Sequence, residues 1–117
     1  MTIIRGATTI NSDCKTEISG AVKALLDEIF LVNCLKKQEV KGFLFSLTTD
    51  IHSLHPAKAA RESGYDFAPL FACLEPDIEG GLPLCIRLMA FCDLEDNRVV
   101  KHVYHITFPV DFPRITE

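Results

Sequence analysis

No run of eighteen apolar residues occurs in this chain, so a transmembrane helix of ordinary length is not expected. The opening "MTIIRGATTI" has too short an apolar stretch for a secretory signal, and an arginine interrupts it. There is no basic stripe. Lys and Arg are scattered and the net charge is −4, so neither nucleic acid nor a membrane is an expected partner. No CxxC occurs, and the five cysteines are odd in number. That argues against a disulfide framework or a cysteine zinc site, and for reduced, mostly buried thiols in a cytoplasmic protein. A G-x-S-x-G elbow and an H-E-x-x-H helix are both absent, which removes two common hydrolytic designs. "EGGLP" has neither the following helix nor the Lys-Ser/Thr ending of a phosphate loop, and it reads as a turn.

What is present suits one domain over residues 1–117. Hydrophobic residues make up 48% and mean hydropathy is +0.19. So apolar a short chain is expected to bury surface between subunits as well as within one. "TIIRGATTI" reads as a strand with Ile3, Arg5, Ala7 and Thr9 on one face. Asn11, Ser12 and Asp13 are N-cap candidates for a long helix over about 15–35, where Ile18, Val22, Leu25, Leu26, Ile29 and Phe30 recur at helical spacing. Gly20 inside it costs about 1 kcal/mol against alanine and suggests close packing onto a neighbour. Strands follow at 43–50, 66–75, 84–92 and 99–108, with a short helix at 55–64 begun by Pro56. Pro69 marks the second of these strands as an edge or a bulge. The fold class is α+β: a mixed five-stranded sheet with one long and one short helix.

The stretch "GGLPLCIRLMAFC", residues 80 to 92, sets the functional question. Arg87 stands in an apolar strand, and a buried guanidinium needs an anionic partner. A hairpin over the Gly-Gly turn would bring Glu75 towards it, giving a structural ion pair. A bound anion is the other answer, and the strand alone does not choose. Two HxxH pairs, His52/His55 and His102/His105, invite a metal. Positions i and i+3 of a strand face opposite ways, so no metal site is expected.

Four stretches occur in order: "IRGATTI", "PAKAARE", "E-x-D-I-x-GGL-x-x-CIRLM" and "HVY". Together they resemble the trimeric AroH-class chorismate mutases over roughly residues 3 to 104. The resemblance implies a pseudo-barrel homotrimer with sites between subunits, each drawing on two chains. It implies a small dianionic substrate and a Claisen rearrangement of chorismate to prephenate that uses no cofactor, metal, nucleophile or proton transfer. By position, Arg5 would bind a substrate carboxylate and Tyr104 would sit beside it. Glu75 would accept a hydrogen bond from the ring hydroxyl, and Arg87 would point at the breaking ether oxygen. Phe71, Ala72, Cys73 and Leu74 would line the same pocket, and His55 and Lys58 would contribute from "HPAK". The chain departs from the family pattern at His55, Phe71 and Ala72, and at Phe112, where the family carries an arginine; Arg114 follows two places later. Those departures keep two other readings open. One is a related isomerase or pericyclase acting on a modified chorismate or another carboxylated ring ether. The other is a non-catalytic trimer that binds a small anion.

Overall fold

The computed structural model describes residues 1–109. The chain runs β1 (Thr2–Thr9), α1 (Lys15–Val32), β2 (Val40–Leu47), α2 (Pro56–Glu62), β3 (Leu70–Leu74), β4 (Cys85–Cys92) and β5 (Val103–His105), with one 3₁₀ turn at Lys37–Glu39 before β2. The five strands form one mixed sheet in the order β3-β2-β4-β1-β5. β4 lies antiparallel to both β1 and β2, while β2/β3 and β1/β5 are parallel pairs. The α+β class and the mixed five-stranded sheet with a long and a short helix are as expected.

Period-two alternation decides which face is covered. Ile4, Phe43, Phe45, Ile86, Leu88, Ala90 and Val103 turn one way and form a single core with Ile18, Val22, Leu25, Leu26 and Ile29 of α1 and Ala57, Ala59 and Ala60 of α2. Both helices therefore pack on one face of the sheet. No helix is long and apolar enough to cross a membrane among the described residues.

Several expectations need correction. β3 and β4 do not form a hairpin over Gly80 and Gly81, because β2 lies between them. A helix already connects β2 to β3, and such a crossover delivers a parallel neighbour. Pro69 does precede an edge strand; its carbonyl accepts from the Phe43 N–H at 2.9 Å. None of Asn11, Ser12 or Asp13 caps α1; Cys14 stands at that position without a side-chain bond. Asp13 is used elsewhere, accepting from the backbone N–H groups of His52 and Ser53 at 3.0 and 2.9 Å. The thiols are not mostly buried: Cys85 and Cys92 are, whereas Cys34 and Cys73 are exposed. Burial pushes the Cys92 thiol up to about 11.

Gly20 also differs from expectation, since a Cβ there would meet nothing within 4 Å. The glycine that marks close packing is Gly6, where a Cβ would lie 2.9 Å from Ile29 Cδ1 and 3.2 Å from Leu25 Cδ1. Gly6 is thus what lets α1 settle onto β1. Gly6→Ala is expected to cost about 1–3 kcal/mol by overpacking, and Gly20→Ala to gain up to about 1 kcal/mol. Denaturant unfolding of the two variants checks the opposite signs, and equal effects would discard the packing role of Gly6.

Candidate active site

The face turned away from the helices holds most of the candidate residues. Strand register alone lines up Cys73, Ser46, Arg87, Ala7 and Tyr104 across all five strands, because each is the paired neighbour of the next. Phe71, Leu44, Met89 and Arg5 form the adjoining row. Two strand arginines and a tyrosine thus converge by register. A cavity of about 440 Å³ lies over these rows, lined by Arg5, Ala7, Leu44, Ser46, Cys73, Arg87, Met89 and Tyr104. A second, of about 860 Å³, shares Arg87 and Tyr104, takes in Glu75, and continues between the 76–83 loop and Ile106 and Phe108.

Glu75 and Arg87 do meet, but across β2 rather than across a hairpin. Arg87 Nη1 lies 3.4 Å from each Glu75 oxygen, a long contact for a guanidinium and a carboxylate. The shorter bond to Glu75 comes from Ser46, whose hydroxyl donates to Oε1 at 2.6 Å. The Glu75 backbone N–H donates to Leu47 O at 2.9 Å and fixes the residue just beyond the end of β3. Side-chain exposure is 28% for Arg87 and 18% for Glu75, so the pair is screened from water but open to the cavity.

The start of β4 is held by a polar clamp. Leu84 has φ +47°, an uncommon conformation for a leucine. Its N–H donates to the Asp50 carboxylate at 3.0 and 3.2 Å, and the Cys85 N–H donates to Thr48 Oγ1 at 3.0 Å. These bonds pin the loop from Glu75 three residues before Arg87. At the other end of the site, the Arg5 backbone N–H donates to His102 Nδ1 at 2.9 Å.

Not every residue expected at the site comes together in one chain. Phe71 lies on the correct face and is exposed, one row from Arg87. Ala72 packs against the core on the helix side, because alternation turns it away from Phe71 and Cys73. Leu74 is exposed and outside both cavity linings. His55 caps α2, its Nδ1 accepting from the Ala57 N–H at 3.1 Å. Lys58 is exposed on the same helix, across the sheet from Arg5 and Arg87. Phe112 and Arg114 lie outside the described residues. The histidines separate: His105 Nε2 reaches Glu28 of α1 at 3.2 Å, while His102 serves Arg5. Among the described residues no group of three or more His, Cys, Asp or Glu is placed to hold a metal ion.

A sequence model of chorismate mutase type I matches residues 1–107. The chain belongs to that family. It is 41% identical over 103 residues to chorismate mutase AroH of Bacillus subtilis strain 168, covering 86% of this chain and 81% of that protein. It is 36% identical over 104 residues to chorismate mutase AroH of Thermus thermophilus, covering 86% and 84%. A solved chorismate mutase from Clostridium thermocellum superposes with a TM-score of 0.83 at 33% identity, covering 89% of this chain and 94% of its own. Family membership and fold therefore agree over nearly the whole described chain. Ser46 and His102 are two residues at this candidate site that the sequence alone does not single out as such. A serine in "FLFSLTTD" and a histidine in "HVYH" gain meaning only once register sets them beside Glu75 and Arg5.

Proposed function

We propose that this chain is an isomerase that converts chorismate to prephenate, the activity named for its relatives. The observation that carries the reading is the cluster of Arg87 and Tyr104 in one row, Arg5 in the adjoining row and Glu75 beside Arg87, on the sheet face that the helices leave open. The reaction is intramolecular. One C–O bond breaks as one C–C bond forms, and no proton, electron or group leaves the substrate. An enzyme can then act only by holding the folded conformer and by stabilising charge as it develops. In this reading Arg5, beside Tyr104, takes a carboxylate, and Glu75 accepts from the ring hydroxyl. Arg87 faces the ether oxygen as it becomes negative. One such donor contributes roughly 3–4 kcal/mol, while a millionfold acceleration requires about 8 kcal/mol. Conformational restraint by the two arginines supplies much of the difference.

The active unit is a homotrimer with its sites between chains. Two observations support this. On the open face Phe71 is 68% exposed, and Ile78 in the adjoining loop is 66% exposed, which calls for a cover. His55 and Lys58 sit across the sheet from the cavity, so they reach a substrate only from a neighbouring copy. We place the enzyme in the cytoplasm, where five cysteines raise no pairing problem.

Adding the purified protein to chorismate is expected to abolish the substrate's ultraviolet absorbance with formation of prephenate. A mass in solution three times the 13.1 kDa chain is expected alongside. Unchanged absorbance over hours would overturn the activity, and a monomeric mass would overturn the shared site.

A further inference from the structure

We infer that His102 is a positioning residue: its imidazole stands in for a missing main-chain acceptor beside β1 and so fixes the backbone from which Arg5 reaches the cavity. The inference rests on the reaction proposed above, in which Arg5 takes a substrate carboxylate. Arg5 lines the cavity of about 440 Å³. Among the described residues its guanidinium has no hydrogen bond or ion pair, so what the structure fixes is the backbone that carries it. On one side that backbone is paired with Met89 of β4. On the other, the Arg5 N–H donates to His102 Nδ1 at 2.9 Å.

The strand pattern explains why a side chain has to serve there. β5 pairs with β1 only from Gly6↔Val103 onward. One step further back, the same parallel register would offer the Arg5 N–H the carbonyl of Lys101. That carbonyl is drawn to α1 instead. Asn33, 3% exposed at the end of the helix, donates its side-chain amide to Lys101 O at 2.9 Å and accepts from the Lys101 N–H at 2.7 Å. Both main-chain groups of Lys101 are engaged by one buried side chain, and the ladder stops before it reaches Arg5. His102 is the next residue along, and its Nδ1 fills the gap. Without that nitrogen the Arg5 N–H turns to water, and β1 is held at Arg5 from the β4 side alone. An arginine that grips a carboxylate alike in the ground and transition states raises KM when it is misplaced and leaves kcat nearly unchanged. A loss of folded protein does the reverse, lowering apparent kcat at constant KM.

The test compares His102→Phe, which keeps a ring and loses the acceptor, with His102→Asn, whose Oδ1 stands at the same branch point as Nδ1. Steady-state kinetics with chorismate are expected to show KM raised about fivefold in His102→Phe, with kcat changed less than about twofold. His102→Asn is expected to stay within about twofold of the wild type in both constants. Amide hydrogen exchange, followed by NMR, is expected to quicken at Arg5 in His102→Phe and to stay slow in His102→Asn. Equal KM in all three proteins, a loss confined to kcat, or an Arg5 amide that exchanges alike in all three would each overturn the role. If the wild-type protein turns over no chorismate, the proposed reaction fails on its own account. The exchange at Arg5 and a crystal structure of His102→Phe then decide, and an Arg5 backbone and side chain unmoved from their wild-type positions would overturn the inference.

Discussion

Replacing Arg87 with alanine is expected to lower kcat roughly a thousandfold while leaving the fold intact. The two halves of that expectation have separate causes. The side chain points from β4 onto the open face of the sheet, opposite the core, and is 28% exposed. Its removal therefore opens no hole among Ile86, Leu88 and Ala90, which turn the other way. The partner it leaves, Glu75, keeps the 2.6 Å bond from Ser46 and the backbone anchor at Leu47. In the proposed reaction, by contrast, the chemical step would lose a fixed cation aimed at charge that exists only as the C–O bond breaks. An interaction made in the transition state and not in the ground state lowers kcat rather than raising KM. Arg87→Lys is expected to recover only part of the rate, since an ammonium keeps the charge but loses the planar fork. Chorismate kinetics with circular dichroism as the fold control make the measurement. Full activity in Arg87→Ala would remove this residue from the mechanism and return Arg87 and Glu75 to a structural ion pair.

The fold was legible where periodicity was long and failed where neighbours had to be chosen. α1 announces itself through six apolar residues at helical spacing, and five of them are buried. Its end was read too late. Asn33 leaves the helix to donate its side-chain amide to Ile29 O and Lys101 O, and Cys34 turns to φ +49°. Strand pairing was the larger miss. Two apolar strands around "EGGLP" look like a hairpin, because neighbours in sequence usually pair. The decisive signal was already in view: a helix at 55–64 between two strands dictates a parallel pair, which places β3 against β2 and pushes β4 to the far side of β2.

The site was legible through its anomalies. Arg5 and Arg87 attract notice because charge is out of place in apolar strands, and both line the same cavity. Ala72 shows the opposite failure. Carrying a run of four residues into one pocket ignores alternation, which sends Ala72 to the core while Cys73 faces the cavity. Ser46 and His102 were invisible for a third reason. Each is an ordinary residue in its own stretch, and each acts through a partner 29 or 97 positions away.

Replacing Arg98 with alanine is the change expected to cost most stability, lowering Tm by on the order of 10 °C or more. Glu39, in the turn before β2, has a side chain with no exposed surface. Its carboxylate accepts from the Lys36 N–H at 2.9 Å, the Glu95 N–H at 3.0 Å, and Arg98 Nη2 at 2.6 Å. Arg98 Nη1 also donates to Asn33 O and Cys34 O at 3.0 Å each, so one guanidinium closes the end of α1 and neutralises a buried anion. Alanine removes both. The pH dependence separates this from a simple packing loss. The backbone N–H groups of Lys36 and Glu95, then the Arg98 guanidinium, hold the Glu39 carboxyl below its ordinary 4.5. Hydrogen bonds from the Arg98 side chain and backbone hold Asp96 below 3.8. A carboxyl whose folded pKa is lowered contributes stability that is full above its ordinary value and fades as pH falls through the folded one. Wild-type Tm is therefore expected to fall steeply below about pH 4.5, while Arg98→Ala, already deprived of the pairing, falls less and the two curves converge. Parallel curves from pH 7 to pH 3 would show that Arg98 stabilises by packing alone.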